Sequence, residues 1–316
     1  MNRASKQAGF TLFELIVSLA ITSVIALFVF SFATNLAKLW RHTEGSVGTE
    51  LDTQIALDTI AGDLESAFFA ERGVPMFAVS SISKTGGDLY NYDFSGRWVN
   101  VSAEGAGRPA EVHFDPENHH YGWAGSWLRF FTASPTFNAV GYQIIRRPAF
   151  SDSNVSSYLL HRSLIRMDRT LEGGFDISLG EYAIGTTSSA LESPRLDAVI
   201  LEDVIDFGVR LYVFEDSFPG NEDSPRGLRL IFPANGSGVL SDSYREHLAS
   251  TAYGNDYSIR YPDVIEVFVR VLDDVGADLL RQSEDGEGLL TYEEIVEDHA
   301  RVYSRMIRRR GKGVGG

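Results

Sequence analysis

Gly9-Phe10-Thr11-Leu12-Phe13-Glu14 decides how the rest of the chain is read. Ahead of it lies a short cationic stretch, Met1 to Ala8, carrying Arg3 and Lys6. Behind it an apolar run extends from Phe10 to Ala33 and holds one formal charge, Glu14. At ~1.5 Å per residue that run makes a helix long enough for a hydrocarbon layer of ~30 Å. A carboxylate placed in such a layer costs ~2.5–3.5 kcal/mol at its centre, so an acid there needs a functional reason. An ordinary secretory signal puts its small-residue cut site after a short apolar core. Here the small residue, Gly9, precedes the run, and the run is too long. A plain signal anchor accounts for the leader and the span, but not for Glu14 beside Gly-Phe-Thr-Leu.

This pattern resembles the leader of type IV prepilins and pseudopilins. The resemblance implies that a membrane-embedded aspartyl peptidase cuts between Gly9 and Phe10 and methylates the new N-terminus at Phe10. It also implies that Glu14 serves subunit assembly by pairing with the N-terminal ammonium of a neighbouring subunit. The residues agree with that chemistry. A new ammonium at residue 10 stands four positions before Glu14 on one helical face. Opposite charges in a medium of low dielectric attract strongly, and both must leave water to meet. Gly9 has no side chain to obstruct a peptidase cleft.

The 316 residues are 44% hydrophobic and 22% charged, the composition of a folded ectodomain and not of a disordered one. There is no cysteine, which excludes disulfides, thiolate metal sites and a cysteine nucleophile. A net charge of −15 speaks against nonspecific nucleic-acid binding. Arg3 and Lys6 place the N-terminus in the cytoplasm by the positive-inside rule, although Lys38 and Arg41 flank the other end of the run. The expected location is the inner membrane, crossed once, with the C-terminal head in the periplasm.

Beyond the run, Leu36, Leu39, Trp40, Val47, Leu51, Ile55, Ile60, Leu64 and Phe68 recur mostly at spacings of three or four. They form one apolar stripe of an amphipathic helix. Gly45-Ser46-Val47-Gly48 is the place where that helix is expected to bend or break. After Pro75 the period changes, and strands are expected over 76–82, 111–114, 127–132, 140–147, 158–165, 204–214, 228–232 and 264–272. Ile265, Val267, Val269 and Val271 alternate with Glu266, Phe268 and Arg270, and Phe207, Val209, Leu211 and Val213 alternate in the same way. The predicted class is α+β, a long N-terminal transmembrane and amphipathic helix packed on an antiparallel β-sheet head, as in pilins. The expected divisions are a cleaved leader over 1–9, a membrane helix over 10–34, an amphipathic helix over 35–72, a head over 73–290, and a short helix with a basic tail over 291–316.

The order of segments is similar to that of the J-type minor pseudopilins of type II secretion and related minor pilins. The similarity rests on Leu57-Asp58-Thr59-Ile60-Ala61-Gly62-Asp63-Leu64-Glu65, Leu128-Arg129-Phe130-Phe131 and Tyr158-Leu159-Leu160-His161-Arg162. Leu201-Glu202-Asp203-Val204-Ile205-Asp206-Phe207 and Tyr261-Pro262-Asp263-Val264-Ile265-Glu266-Val267 complete it. It implies a minor pseudopilin of a periplasmic pseudopilus or its tip. The implied partners are other pseudopilins or pilins, the prepilin peptidase and an inner-membrane assembly platform. A minor pilin of a type IV pilus, serving adhesion, motility or DNA uptake, is the alternative within that class. A membrane-anchored periplasmic binding protein is the alternative outside it, with Trp98, Tyr121, Trp123 and Trp127 as binding aromatics.

Residues with metal-ligand chemistry also occur. His113, His119 and His120 lie near Asp115 and Glu117, but without the helical spacing of a zinc pair. From Ser283 the chain imitates a calcium loop, with Asp285, Glu287, a glycine at the sixth place and Glu294 at the twelfth. Its first position is serine where a carboxylate belongs, so no cofactor is assigned beyond calcium as a candidate. Nucleophile elbows, P-loops, Rossmann glycines and His-Glu-x-x-His are absent from the sequence, and the chain reads as non-enzymatic with no catalytic residue. The basic end, Arg301 to Lys312, reads as a solvated tail after a helix over 291–306, or as a docking element for an acidic partner.

Overall fold

The computed structural model describes residues 12–71, 73–81, 126–133, 136–148, 156–182, 191, 196–222, 224–234, 236–239, 246–284 and 286–309. Within α1 (Leu12–Glu65), the side chains of Glu14, Leu15, Ser18, Ala20 and residues 33–47 lie outside that description. The chain divides into two units, Met1–Gly48 and Thr49–Gly316.

In the first unit the backbone is helical from Leu12 onward, and it remains helical through Gly45-Ser46-Val47-Gly48, where a break was expected. Helical neighbours on both sides outweigh the ~1 kcal/mol that each glycine costs relative to alanine. Every described side chain from Leu12 to Phe32 is exposed, including Phe13, Phe28, Phe30 and Phe32 at 69–74%. Among the described residues no helix is long and apolar enough to cross a membrane.

In the second unit α1 changes character. Thr53, Ala56, Leu57, Ile60, Ala61 and Leu64 are buried, while Leu51, Ile55, Asp58 and Glu65 face outward. The helix is amphipathic as expected, but its buried face keeps only Ile60 and Leu64 of the expected stripe; Leu51 and Ile55 face outward, and Thr53, Ala56, Leu57 and Ala61 take the inner positions. The helix ends at Glu65, earlier than the expected residue 72, and the chain passes through a bridge between Ala67 and Thr132.

Two antiparallel sheets follow. The first contains β1 (Phe77–Ser81), β2 (Ser126–Thr132), β3 (Asn138–Pro148), β4 (Ser156–Ile165), β5 (Val199–Glu202) and β8 (Glu246–Ala249), in the order β5-β4-β3-β2-β1-β8. The second contains β6 (Val204–Phe214), β7 (Leu228–Phe232), β9 (Val264–Leu272) and β10 (Ala300–Arg308), in the order β10-β9-β6-β7. Seven of the eight strands read from the sequence appear within a few residues of their expected limits, and 111–114 lies outside the described residues. The helices α2 (Met167–Gly173), α3 (Asp274–Glu284) and α4 (Tyr292–His299) complete the head.

The interior is apolar on more faces than simple alternation suggests. All seven residues of β2 are buried, and in β6 only Phe214 is exposed. Phe268 sits on the more polar face of β9 yet is only 4% exposed. Its ring occupies the space above Gly208 of β6, where a Cβ would lie 2.0 Å from it. No side chain but hydrogen fits there.

The C-terminal reading is corrected. The helix expected over 291–306 stops at His299, and Ala300–Arg308 is a strand paired along its whole length with β9. Val302, Tyr303 and Ile307 are the β-formers that carry this signal, and the interleaved arginines obscured it.

Candidate functional site

Gly9 and Phe10 lie outside the described residues. Glu14 lies within the helical backbone of α1, with its side chain outside the description. Around it, Leu12, Phe13, Ile16, Val17, Leu19, Ile21, Val24, Ile25, Leu27 and Val29 are all exposed. A helix apolar on all sides is stable only when apolar matter surrounds it, either lipid or other helices. This surface can therefore serve packing and insertion.

Within the second unit a polar constellation ties α1 to the sheet. Asp63, on the inner side of α1 between the buried Ile60 and Leu64, reaches across to two strands. Its carboxylate accepts hydrogen bonds from the Tyr142 hydroxyl of β3 at 2.5 Å, and from Arg162 of β4 through Nε at 2.7 Å and a terminal nitrogen at 3.0 Å. Tyr142 and Arg162 face each other in the β3–β4 register, so both side chains rise from the same point of the sheet toward the helix. Burial, then the adjacent Asp63, raises the Tyr142 hydroxyl pKa well above its ordinary value. The hydrogen bond that Arg162 donates to Asp63 raises the arginine's own pKa, so the guanidinium stays charged. The forked guanidinium and two-oxygen carboxylate match bidentately, which fixes direction as well as distance. The sequence placed Asp63 and Arg162 in separate family-like stretches and gave no sign that they meet.

The other candidates stay apart from any assembled site. His113, His119, His120, Asp115 and Glu117 lie outside the described residues, as do Trp98, Tyr121 and Trp123. Trp127 is 1% exposed, with the Arg129 guanidinium 3.9 Å from its ring, so it is a core residue and not a binding platform. Of the calcium candidates, Asp285 lies outside the described residues and Glu287 is exposed. Glu294 is occupied in a capping box, where its carboxylate accepts from the Thr291 backbone N–H at 2.8 Å and Thr291 Oγ accepts from the Glu294 N–H. That box stabilises the start of α4, and Thr-Tyr-Glu-Glu is its readable signature. Among the described residues, no group of His, Asp and Glu is placed to hold a metal ion.

One cleft in the head, of about 420 Å³, is walled by Asp52 and Ile55 of α1 and by Glu202, Asp203, Leu272 and Asp274. Burial pushes the Asp203 carboxyl up to about 6, partly offset by Arg281. Its acids give the cleft a negative lining.

Residues 4–30 match the family described as the prokaryotic N-terminal methylation motif. The chain thus carries a prepilin-like leader of the kind found on prepilins and pseudopilins. That motif implies processing by a prepilin peptidase and assembly with other pilin-like subunits, and it suggests a membrane-anchored protein. No curated protein and no solved structure matches the chain.

Proposed function

We propose that this chain is a minor pseudopilin, a non-catalytic subunit of a periplasmic type II secretion pseudopilus or of its tip. The observation that carries the reading is the methylation motif over residues 4–30, running directly into a helix that is apolar on all its described sides. After cleavage at Gly9, the methylated Phe10 ammonium and Glu14 form complementary charges, and the helix inserts among the helices of neighbouring subunits. The helix crosses the inner membrane once, with the leader in the cytoplasm and the head in the periplasm. Movement comes from a motor supplied by other proteins. The similarity of 57–65, 128–131, 158–162, 201–207 and 261–267 to stretches of J-type pseudopilins and related minor pilins supports a minor subunit, with a minor pilin of a type IV pilus as the alternative.

Glu14→Leu tests this. A simple anchor gains from the change, because removing a buried acid lowers the cost of insertion. A filament subunit instead remains inserted and cleaved but no longer crosslinks to its neighbours, with Glu14→Asp intermediate. Wild-type crosslinking and secretion by Glu14→Leu would eliminate charge pairing as the assembly mechanism.

A further inference from the structure

Strand edges offer unpaired backbone donors and acceptors to any extended chain, and folds blunt them by shortness, bulges or cover. Three of the four sheet edges described here are blunted. β5 and β8 have four residues each and β7 has five, and the pairings of β5 and β7 carry register shifts. The fourth edge is different. β10 has nine residues, contains neither proline nor glycine, and pairs with β9 without a register shift. Among the described residues no strand pairs with its other edge. Arg301, Val302, Ser304, Arg305, Met306 and Arg308 are exposed along it, Val302 at 49% and Met306 at 56%.

We propose that β10 is a docking edge that accepts an extended acidic segment of a partner protein as a fifth strand of its sheet. Main-chain hydrogen bonds supply the pairing, and Val302 and Met306 supply apolar contact on the face away from α1. Charge selects the occupant. Arg301, Arg305 and Arg308 line the strand in a chain of net charge −15. Arg305 already pairs with an acid, Asp58 of α1, which shows that its guanidinium is within reach of carboxylates beside the strand. A second copy of β10 is a poor occupant. Full two-fold antiparallel overlap sets Arg301 diagonal to the copy's Arg305, and a shift of one residue sets Arg301 opposite the copy's Arg308. Like charges at those positions repel. A bilayer surface offers phosphates but no ladder of amides to continue the sheet. The inference goes beyond the pseudopilin reading and does not depend on it.

The test uses the full chain in detergent and a labelled nine-residue peptide alternating glutamate with valine and threonine. Binding is followed by anisotropy, and amide exchange is followed across residues 300–308. The peptide is expected to bind and to slow exchange along β10. The double variant Arg301→Glu, Arg308→Glu is expected to weaken binding about tenfold with an unchanged melting temperature, since exposed ion pairs contribute modestly. A peptide N-methylated throughout its backbone is expected not to bind. Equal binding by the methylated peptide, or by one with lysine replacing glutamate, would overturn strand addition or charge selection respectively. Protection of β10 by self-association, or by anionic vesicles and not by the peptide, would assign the edge to a second copy or to a lipid surface and overturn the proposal.

Discussion

Replacing Asp63 by alanine removes the carboxylate that holds the upper part of α1 to β3 and β4. Three hydrogen bonds are lost at once, from the Tyr142 hydroxyl and from two nitrogens of Arg162. Tyr142 is fully buried, so its hydroxyl is left without water to replace the acid. The Arg162 side chain is 30% exposed and that of Asp63 16%, so solvent recovers part of the guanidinium's loss. Breaking a fully buried pair costs about 3–5 kcal/mol, and this partial exposure places Asp63→Ala near the lower end, at about 3 kcal/mol. For a head of this size that corresponds to a drop in melting temperature of about 6–12 °C. Tyr142→Phe removes a single donor and is expected to cost about 1 kcal/mol. Thermal unfolding of the full chain in detergent, followed by near-ultraviolet circular dichroism, measures all three proteins, with the exposed Glu50→Ala as a control expected to stay within about 0.5 kcal/mol. A double-mutant cycle of Asp63→Ala with Arg162→Ala should return a coupling of about 1–3 kcal/mol. If Asp63→Ala melts within a degree of the unaltered chain, or if the cycle is additive, the clamp does not hold the helix and the reasoning fails.

The mature protein from cells with a prepilin peptidase should begin at methylated Phe10. Intact mass reads this directly, and Gly9→Val should leave Met1 in place. Asp206, 6% exposed with no hydrogen-bond partner for Oδ1 among the described residues, is pushed up to about 8 by burial, partly offset by Arg270. Its folded pKa exceeds the unfolded value of about 3.9, so the folded state holds the extra proton and loses stability as pH rises from about 4 to 8. The melting-temperature advantage of Asp206→Asn should therefore grow between pH 5 and pH 8, and parallel curves would show that Asp206 does not titrate in this window. Calcium and a chelator should give superimposable melting curves, because Glu294 is committed to the cap of α4; a rise with calcium would mean that its carboxylate leaves the cap.

Local regularities made the elements legible from the sequence. Alternation in 204–214 and 264–272 marked β6 and β9 at their observed limits, and the three-and-four spacing marked α1 as an amphipathic helix with Ile60 and Leu64 inward, while misplacing Leu51 and Ile55, which face solvent. The methylation motif was readable because its chemistry is contiguous: a glycine, an apolar run and one acid. Elements without local contrast were missed. β5 and β8, at four residues each, are too short to display a period, and the arginines of β10 gave it the composition of a tail.

What the tertiary structure alone decided is which distant residues meet. Asp63 and Arg162 are 99 residues apart and join only because β3 and β4 pair in a register that sets Tyr142 opposite Arg162 beneath the helix. Gly208 and Phe268 are likewise ordinary in sequence, and become mutually dependent when β6 pairs with β9. Periodicity reports how each segment divides its own surface between core and solvent. Pairing order and register come from the whole set of strands competing for partners, and no window of sequence contains that competition.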